Sequence, residues 1–359
     1  MGRFLLKRSL YGFFVLLGVL VLTFALFNLL PADPSRLVAG QRSDPESLKA
    51  IRQELGLNHS TGTRFLIYLN NLSPISRYQQ NNAESAFQAD PAVLRSAITL
   101  YDGTESLWLL KVPYLGRSFQ SRKPVHEILA EAFPQTFVLA LAAMFFATLA
   151  GIGLGAIMAL KKDSFWDRFI LFVTILGMAG PSFFVAILVA WIFGFELSHI
   201  TGLNMTGSLY AMDDLGRGEH IQWKSLILPA FTLGIRPLAT IAQLARNSFL
   251  EVLSQDYIRT ARAKGLSEWR VMRKHALPNA LNPVITASSG WFAGLLAGAV
   301  FIEYIFGWHG IGKEMVDAMD AFDFPVVMGS VLLISVFFVF INIMVDVIYG
   351  WLDPRVRLN

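Results

Sequence analysis

Six stretches of this chain are apolar for about 20 residues or more, the length a helix needs to cross a ~30 Å hydrocarbon core. They cover approximately residues 10–30, 137–160, 169–195, 226–245, 284–306 and 326–352. In lipid every backbone amide must find its partner within the protein, and runs of this length do so as helices. With 54% of 359 residues hydrophobic and only 16% charged, the pattern predicts an all-α polytopic membrane protein of about six spans.

The placement of charge then orients the spans. The first is preceded by Arg3, Lys7 and Arg8 and is longer than the 7 to 15 apolar residues typical of a signal peptide, so it reads as a retained anchor. The fourth is the weakest, carrying Pro229, Gly234, Arg236 and Pro237. Without it, the basic segment 246–280 would share a side with Asp213, Asp214 and Glu219. With it, the N-terminus, Lys161, Lys162, Arg168, segment 246–280, Arg355 and Arg357 all fall on one side. That is the positive-inside arrangement, so both termini are expected to be cytoplasmic, in a bacterial plasma (inner) membrane protein.

The organisation that follows is an N-terminus and first span (1–30), an extracytoplasmic segment with short helices (31–134), a five-helix core (135–352) containing a cytoplasmic loop (246–283), and a tail (353–359). Within the extracytoplasmic segment, "DPESLKAIRQELGL" reads as a short amphipathic helix and "NNLSPISRYQQNNAESAFQ" as exposed loop. Interleaved apolar residues from Leu107 to Leu110 suggest that part of the rest is folded. The net charge of +4 sits in short loops, so it reports topology and not nucleic-acid binding. The absence of cysteine excludes disulfides, thiolate metal sites and cysteine nucleophiles.

The most informative loop is "DYIRTARAKGLSEWRVMRKHALPNA", residues 256–280. Tyr257, Ile258 and Ala261 recur at helical spacing, and Gly265 stands where a helix end favours a left-handed residue. Ser267 and Glu268 suit the start of a second helix on which Trp269, Met272 and Ala276 share a face and which Pro278 ends. A basic helix, elbow and helix beside a membrane could lie on anionic lipid, remain solvated, or dock on another protein. The small residues Ala261, Ala263 and Gly265 favour docking, since a bumpless surface helps a helix enter a groove and does nothing for lipid contact.

"ARAKG" followed by "HALP" resembles the cytoplasmic loop signature of ABC importer permeases, with Thr260, Arg262 and His275 departing from it and Ala261, Gly265, Leu277 and Pro278 matching. The departures are those of the oligopeptide/dipeptide (peptide/nickel) branch. "LPADP", "YLGRSFQSRKPV", "ARNSFLEVLSQDYIRTARAKGL", "LLAGAVFIEYIFGWHGIGKEMVDAM", "DFPVV" and "DPRVR" also resemble that family, which is matched nearly throughout except about residues 73–113. The resemblance implies a type I importer permease fold and a transport subunit without catalytic residues, metal or cofactor of its own. ATP and magnesium would be held by two cytoplasmic ATPase subunits, contacted through Ala261, Ala263, Gly265, Leu277 and Pro278. A second homologous permease and an extracytoplasmic substrate-binding protein would complete the assembly, with membrane lipid around it and no nucleic acid. Cargo would be peptides or related small solutes.

"GWHGIGKE", residues 307–314, nearly spells a phosphate-binding loop, but Glu314 stands where the magnesium-binding hydroxyl belongs and a span precedes it. Its glycines read instead as a turn capping span five. Gly151 and Gly155, and Gly290, Gly294 and Gly298, form four-residue stripes of the kind that let membrane helices approach closely. Pro181 in "GMAGPSFF" interrupts span three, and Pro229 and Pro237 interrupt span four; broken helices often border a substrate path, here with Pro181, Phe183 and Arg236 as its candidates. Arg236 is either paired with a carbonyl or a contact for an anionic group. Asn342 and Asp346, four apart in span six, are expected to pair within the bundle or at the cytoplasmic interface. The six histidines fall in loops or at span ends, which leaves no Ser–His pair at bilayer depth for a membrane protease. A stand-alone secondary transporter is the alternative function.

Overall fold

A computed structural model describes residues 2–29, 35, 44–54, 57–80, 87–212 and 218–352. Asp213, Asp214, Arg355, Arg357 and the tail 353–359, used above for topology and domains, lie outside these residues, as do all of "LPADP" and "DPRVR". In chain order the N-terminal half holds α1 (Gly2–Leu29), α2 (Pro45–Glu54), α3 (Thr61–Leu72), β1 (Ile75–Gln79), α4 (Pro91–Ser96), β2 (Ile98–Asp102), β3 (Ser106–Leu110) and α5 (Val125–Leu160). There follow α6 (Phe165–Ala179), α7 (Ser182–Val189) with a π-helical extension Ala190–Glu196, α8 (Ser198–Thr201), a small hairpin of β4 (Tyr210–Met212) and β5 (Glu219–Ile221), and α9 (Trp223–Leu253). The remainder is α10 (Asp256–Ala263), α11 (Glu268–Val271), a π-turn Met272–Ala276, α12 (Leu277–Gly298), α13 (Val300–Phe306), α14 (Ile311–Asp320) and α15 (Phe324–Leu352).

Among the described residues, four helices are long and apolar enough to cross a membrane: Leu6–Phe27, Val125–Leu160, Trp223–Leu253 and Phe324–Val347. Two bent pairs bring the number to six if each is one span. The α6/α7 pair turns by 111° at Gly180–Pro181, and the α12/α13 pair by 54° at Ala299. The break at Pro181 agrees with the sequence. Span four does not break: Pro229 and Pro237 both lie inside the continuous α9, since neighbouring side chains and packing tolerate a missing amide in a membrane helix. Span five, by contrast, bends without a proline.

The chain divides into two compact units. The larger comprises Met1–Tyr11, Phe133–Lys313 and Val336–Asn359. Its core runs from Leu139, Ala140 and Ala143 of α5 through Leu233, Ile241 and Phe249 of α9 to Leu295, Leu296 and Ile302 of the fifth span. Helix α9 packs chiefly against α12 and α6. In the same unit Arg8 and Asp346 pair at 3.0 Å, and the Asn342 amide donates to the Phe338 carbonyl at 2.7 Å.

The second unit comprises Gly12–Ala132 and Glu314–Ser335. Phe24 stacks near Phe65, with ring centroids 4.9 Å apart, and Phe27 near Phe324 at 5.1 Å. The stretch read as exposed loop instead contains β1, in a three-stranded antiparallel sheet of order β1-β3-β2. Its inward residues are Ser76 and Tyr78, polar types that conceal the two-residue period. The Asn70 side chain also mimics a neighbouring strand, bonding both the amide and the carbonyl of Arg77 at 3.0 Å. Two quoted motifs meet here: the buried Asp323 carboxylate accepts from the Ser118 hydroxyl and from the amides of Phe119 (2.9 Å) and Gln120 (3.3 Å).

Lys111, just after β3, is only 7% exposed, and its ammonium donates to the Asn71 and Ser73 carbonyls at the end of α3. Burial pulls its pKa down from 10.5 to about 8. Between those values the unfolded chain binds more protons than the folded one, so stability rises with pH across the window, until deprotonation of buried tyrosines such as Tyr68 opposes it above about pH 10. A neutral amine still offers two N–H donors to the two carbonyls. Thermal unfolding of the purified protein is expected to show this gain, on the order of 1 kcal/mol, and Lys111→Met should flatten it.

Candidate functional site

Segment 253–280 folds as two short helices around an elbow. At the end of α10 the Leu266 amide bonds to the Ala261 carbonyl (3.4 Å) and the Gly265 amide to the Arg262 carbonyl (2.9 Å), with Gly265 at φ +76°, as a Schellman cap requires. Arg262 reaches across the elbow to Glu268 in a fork of 2.9 and 3.1 Å, an exposed pair that orients the two helices more than it stabilises them. The loop is anchored by Ile258, Ala261, Val271, Met272 and Ala276, all buried in the main core.

The residues proposed from sequence therefore divide. Ala261 faces inward, Leu277 is half-buried, and Ala263, Gly265 and Pro278 face outward. A side chain at Gly265 would meet nothing within 4 Å in this chain. Two sequence expectations are corrected. Trp269 does not share the buried face of Met272 and Ala276 but stands 73% exposed, because that face also takes in Val271, two residues on and so on the side of the helix opposite Trp269. Pro278 does not end the second helix; it occupies the first turn of α12, where its missing N–H is harmless.

At the root of this loop Arg246 of α9 makes a bidentate pair with Asp167 of α6, both bonds 2.7 Å. Asp167, 4% exposed at its side chain, also accepts from the Asp163 amide, and its own amide is capped by Ser164. Sequence reasoning missed this pair; opposite charges at the ends of adjacent spans were the available signal.

The glycine stripes also divide. A Cβ at Gly151 would stand 2.8 Å from Ile241, and one at Gly155 would stand 2.6 Å from Ala245, so α5 lies directly on α9 there. Gly234, named above only as weakening span four, and Gly177, which the sequence did not single out, make comparable approaches to Ala143 and Ile235. Gly290, Gly294 and Gly298 have no neighbour within 4 Å of a Cβ and close no helix contact within this chain. Gly294 and Gly298 instead border a cavity of about 170 Å³ where α6, α7, α9, α12 and α13 meet. Arg236 lines it and donates to the Gly180 carbonyl at 3.1 Å; Pro181 and Phe183 do not line it.

The turn after span five is built around a carboxylate. Gly307 caps α13 at φ +66°, and the buried Glu303 accepts from the amides of Gly312 (2.6 Å) and Lys313 (3.3 Å). A Cβ at Gly310 or Gly312 would collide with that carboxylate, which explains the glycines of the phosphate-loop look-alike. Trp308 is buried beside it, its indole N–H donating to the Gln135 carbonyl at 3.0 Å.

Residues 151–358 match the family described as binding-protein-dependent transport system inner membrane component, and residues 1–89 match that family's N-terminal region. The chain belongs to this family of permeases. The permease is 31% identical over 370 residues to a dipeptide transport system permease protein of Alkalihalophilus pseudofirmus, covering 99% of this chain and 100% of the relative. It is 37% identical over 360 residues to a putative peptide transport system permease protein of Brucella abortus, covering all of both chains. A glutathione transport system permease protein of Salmonella typhimurium is 33% identical, with 99% of each chain covered. Among solved structures, the permease shares the fold of the MetNI methionine ABC transporter in an inward-facing conformation, with a TM-score of 0.51 at 18% identity over 64% of this chain and 99% of that one. The resemblance read from scattered motifs thus extends over the whole length, and the chain is a multi-pass inner membrane permease of an importer.

Proposed function

We propose that this permease forms, with a second homologous permease, the path by which an ATP-driven importer takes up peptides or related small solutes. Full-length relatives named for dipeptide, peptide and glutathione transport support the cargo class. Both termini would be cytoplasmic, which brings the elbow at Gly265 to the side where nucleotide is available. ATP and magnesium would be bound by two separate ATPase subunits, and a substrate-binding protein would deliver cargo at the outer face.

The observation that carries this reading is the elbow itself. Outward-facing Ala263, Gly265 and Trp269 sit on a frame buried in the same core that contains the spans. A partner that grips this surface differently in two states can move the spans, because nucleotide can shift the permease only through a difference in contact. Gly265→Asp is expected to leave insertion and abundance near wild type while abolishing ATPase association and reducing uptake at least tenfold. The left-handed backbone at Gly265 strains any side chain, and Asp bears that strain better than most residues. Normal uptake by this variant, assayed with the complete transporter, would overturn the assignment.

A further inference from the structure

Arg236 is the fourteenth of 31 residues in α9, about 20 Å along the helix from Trp223 and further from Leu253, so lipid headgroups at either interface are distant. Its guanidinium is exposed to the cavity, and one N–H donates to the carbonyl of Gly180 at the helix break. Among the described residues it makes no ion pair, leaving a forked set of donors and a full charge at mid-span. Such a charge is tolerated where it lines a cavity and meets an anion.

The surroundings restrict what that anion can be. Besides Arg236, the walls offer only small or apolar groups and two hydroxyls: Gly180, Ser182, Thr232, Trp291, Gly294 and Gly298 are representative, and no acid is among them. The space opened by Gly294 and Gly298, with no atom within 4 Å of either absent Cβ, leaves room beside the guanidinium. A planar fork matches a carboxylate in two parallel hydrogen bonds. No acid lines the cavity to pair with an ammonium group.

We propose that Arg236 receives the C-terminal carboxylate of a peptide in transit, with the Gly180 carbonyl holding the guanidinium in place. This rests on the peptide-import reading. The glycine stripe of α12 then serves as clearance for the cargo terminus instead of as a helix contact within the chain.

The test compares uptake of trialanine and its C-terminal amide by the complete importer in liposomes. In Arg236→Gln, which keeps a donor for Gly180, the carboxylate-to-amide uptake ratio should fall about tenfold relative to wild type, while amide uptake stays within about twofold. Arg236→Lys, which keeps the charge but not the fork, should retain only part of the ratio. Because both peptides are read in the same preparation with the same binding protein, folding yield and delivery cancel. An unchanged ratio in the Gln variant overturns the proposal and leaves peptide import intact. A ratio effect that disappears in liposomes without anionic lipid also overturns it, by assigning the guanidinium to lipid. No wild-type uptake of either peptide would defeat the import reading and this inference together.

Discussion

Glu303→Ala is expected to cost about 3–5 kcal/mol. The side chain is fully buried and fills the space that Gly310 and Gly312 leave empty, so its removal opens a cavity. It also strips the amides of Gly312 and Lys313 of their acceptor in a place water does not reach. Those two donors begin α14, and the Ile311 amide beside them is held by the Thr136 hydroxyl at 2.8 Å. Losing the carboxylate therefore loosens the start of a helix as well as the end of a span. Glu303→Gln keeps the volume and one acceptor oxygen, and should retain more than half of the lost stability. Thermal unfolding of the purified permease checks this, and equal losses for the two variants would refute the acceptor role.

Asp167→Ala should lower stability by about 3 kcal/mol and reduce transport by more than the fall in protein amount explains. The substitution leaves the largely buried Arg246 guanidinium without its bidentate partner, and it also frees the Asp163 amide. Arg246 lies on the stretch of α9 that leads into α10, so the ion pair sets the direction in which the elbow is presented. If an unpaired buried charge is the cause, Asp167→Ala combined with Arg246→Met should recover most of the stability, since an apolar replacement of both partners is often neutral. If direction matters too, that double variant should remain poor in transport while folding well. A double variant no more stable than Asp167→Ala alone would discount the ion pair.

Much of the elbow was legible because its signals are local. A helix that ends at glycine is decided by the backbone freedom of one residue and by bonds to carbonyls three and five positions back, and Gly265 adopts the left-handed conformation that its position implied. The contact of Gly151 and Gly155 with α9 follows equally simple logic, since only a missing side chain admits another backbone so closely. Gly290, Gly294 and Gly298 meet no such neighbour within the chain, because a row of small residues states that something comes near without stating what. Trp269 was misplaced for a related reason: three- and four-residue spacing permits a shared face without fixing its centre, and the buried face here includes Val271, opposite Trp269 on the helix.

The helical character of the apolar stretches, their order and the basic composition of the loop were determined by the sequence alone, because hydropathy and charge add along a segment whatever it later touches. Where the spans bend was decided by tertiary structure. Two prolines leave α9 unbroken, while the α12/α13 pair turns by 54° at an alanine. A helix gives way where its freed carbonyls and its side chains find better partners off the helix than on it. The hold of Arg236 on Gly180, the seat of Glu303 beneath two glycines and the grip of Asp167 on Arg246 are such partnerships, each between segments that only the fold brings together.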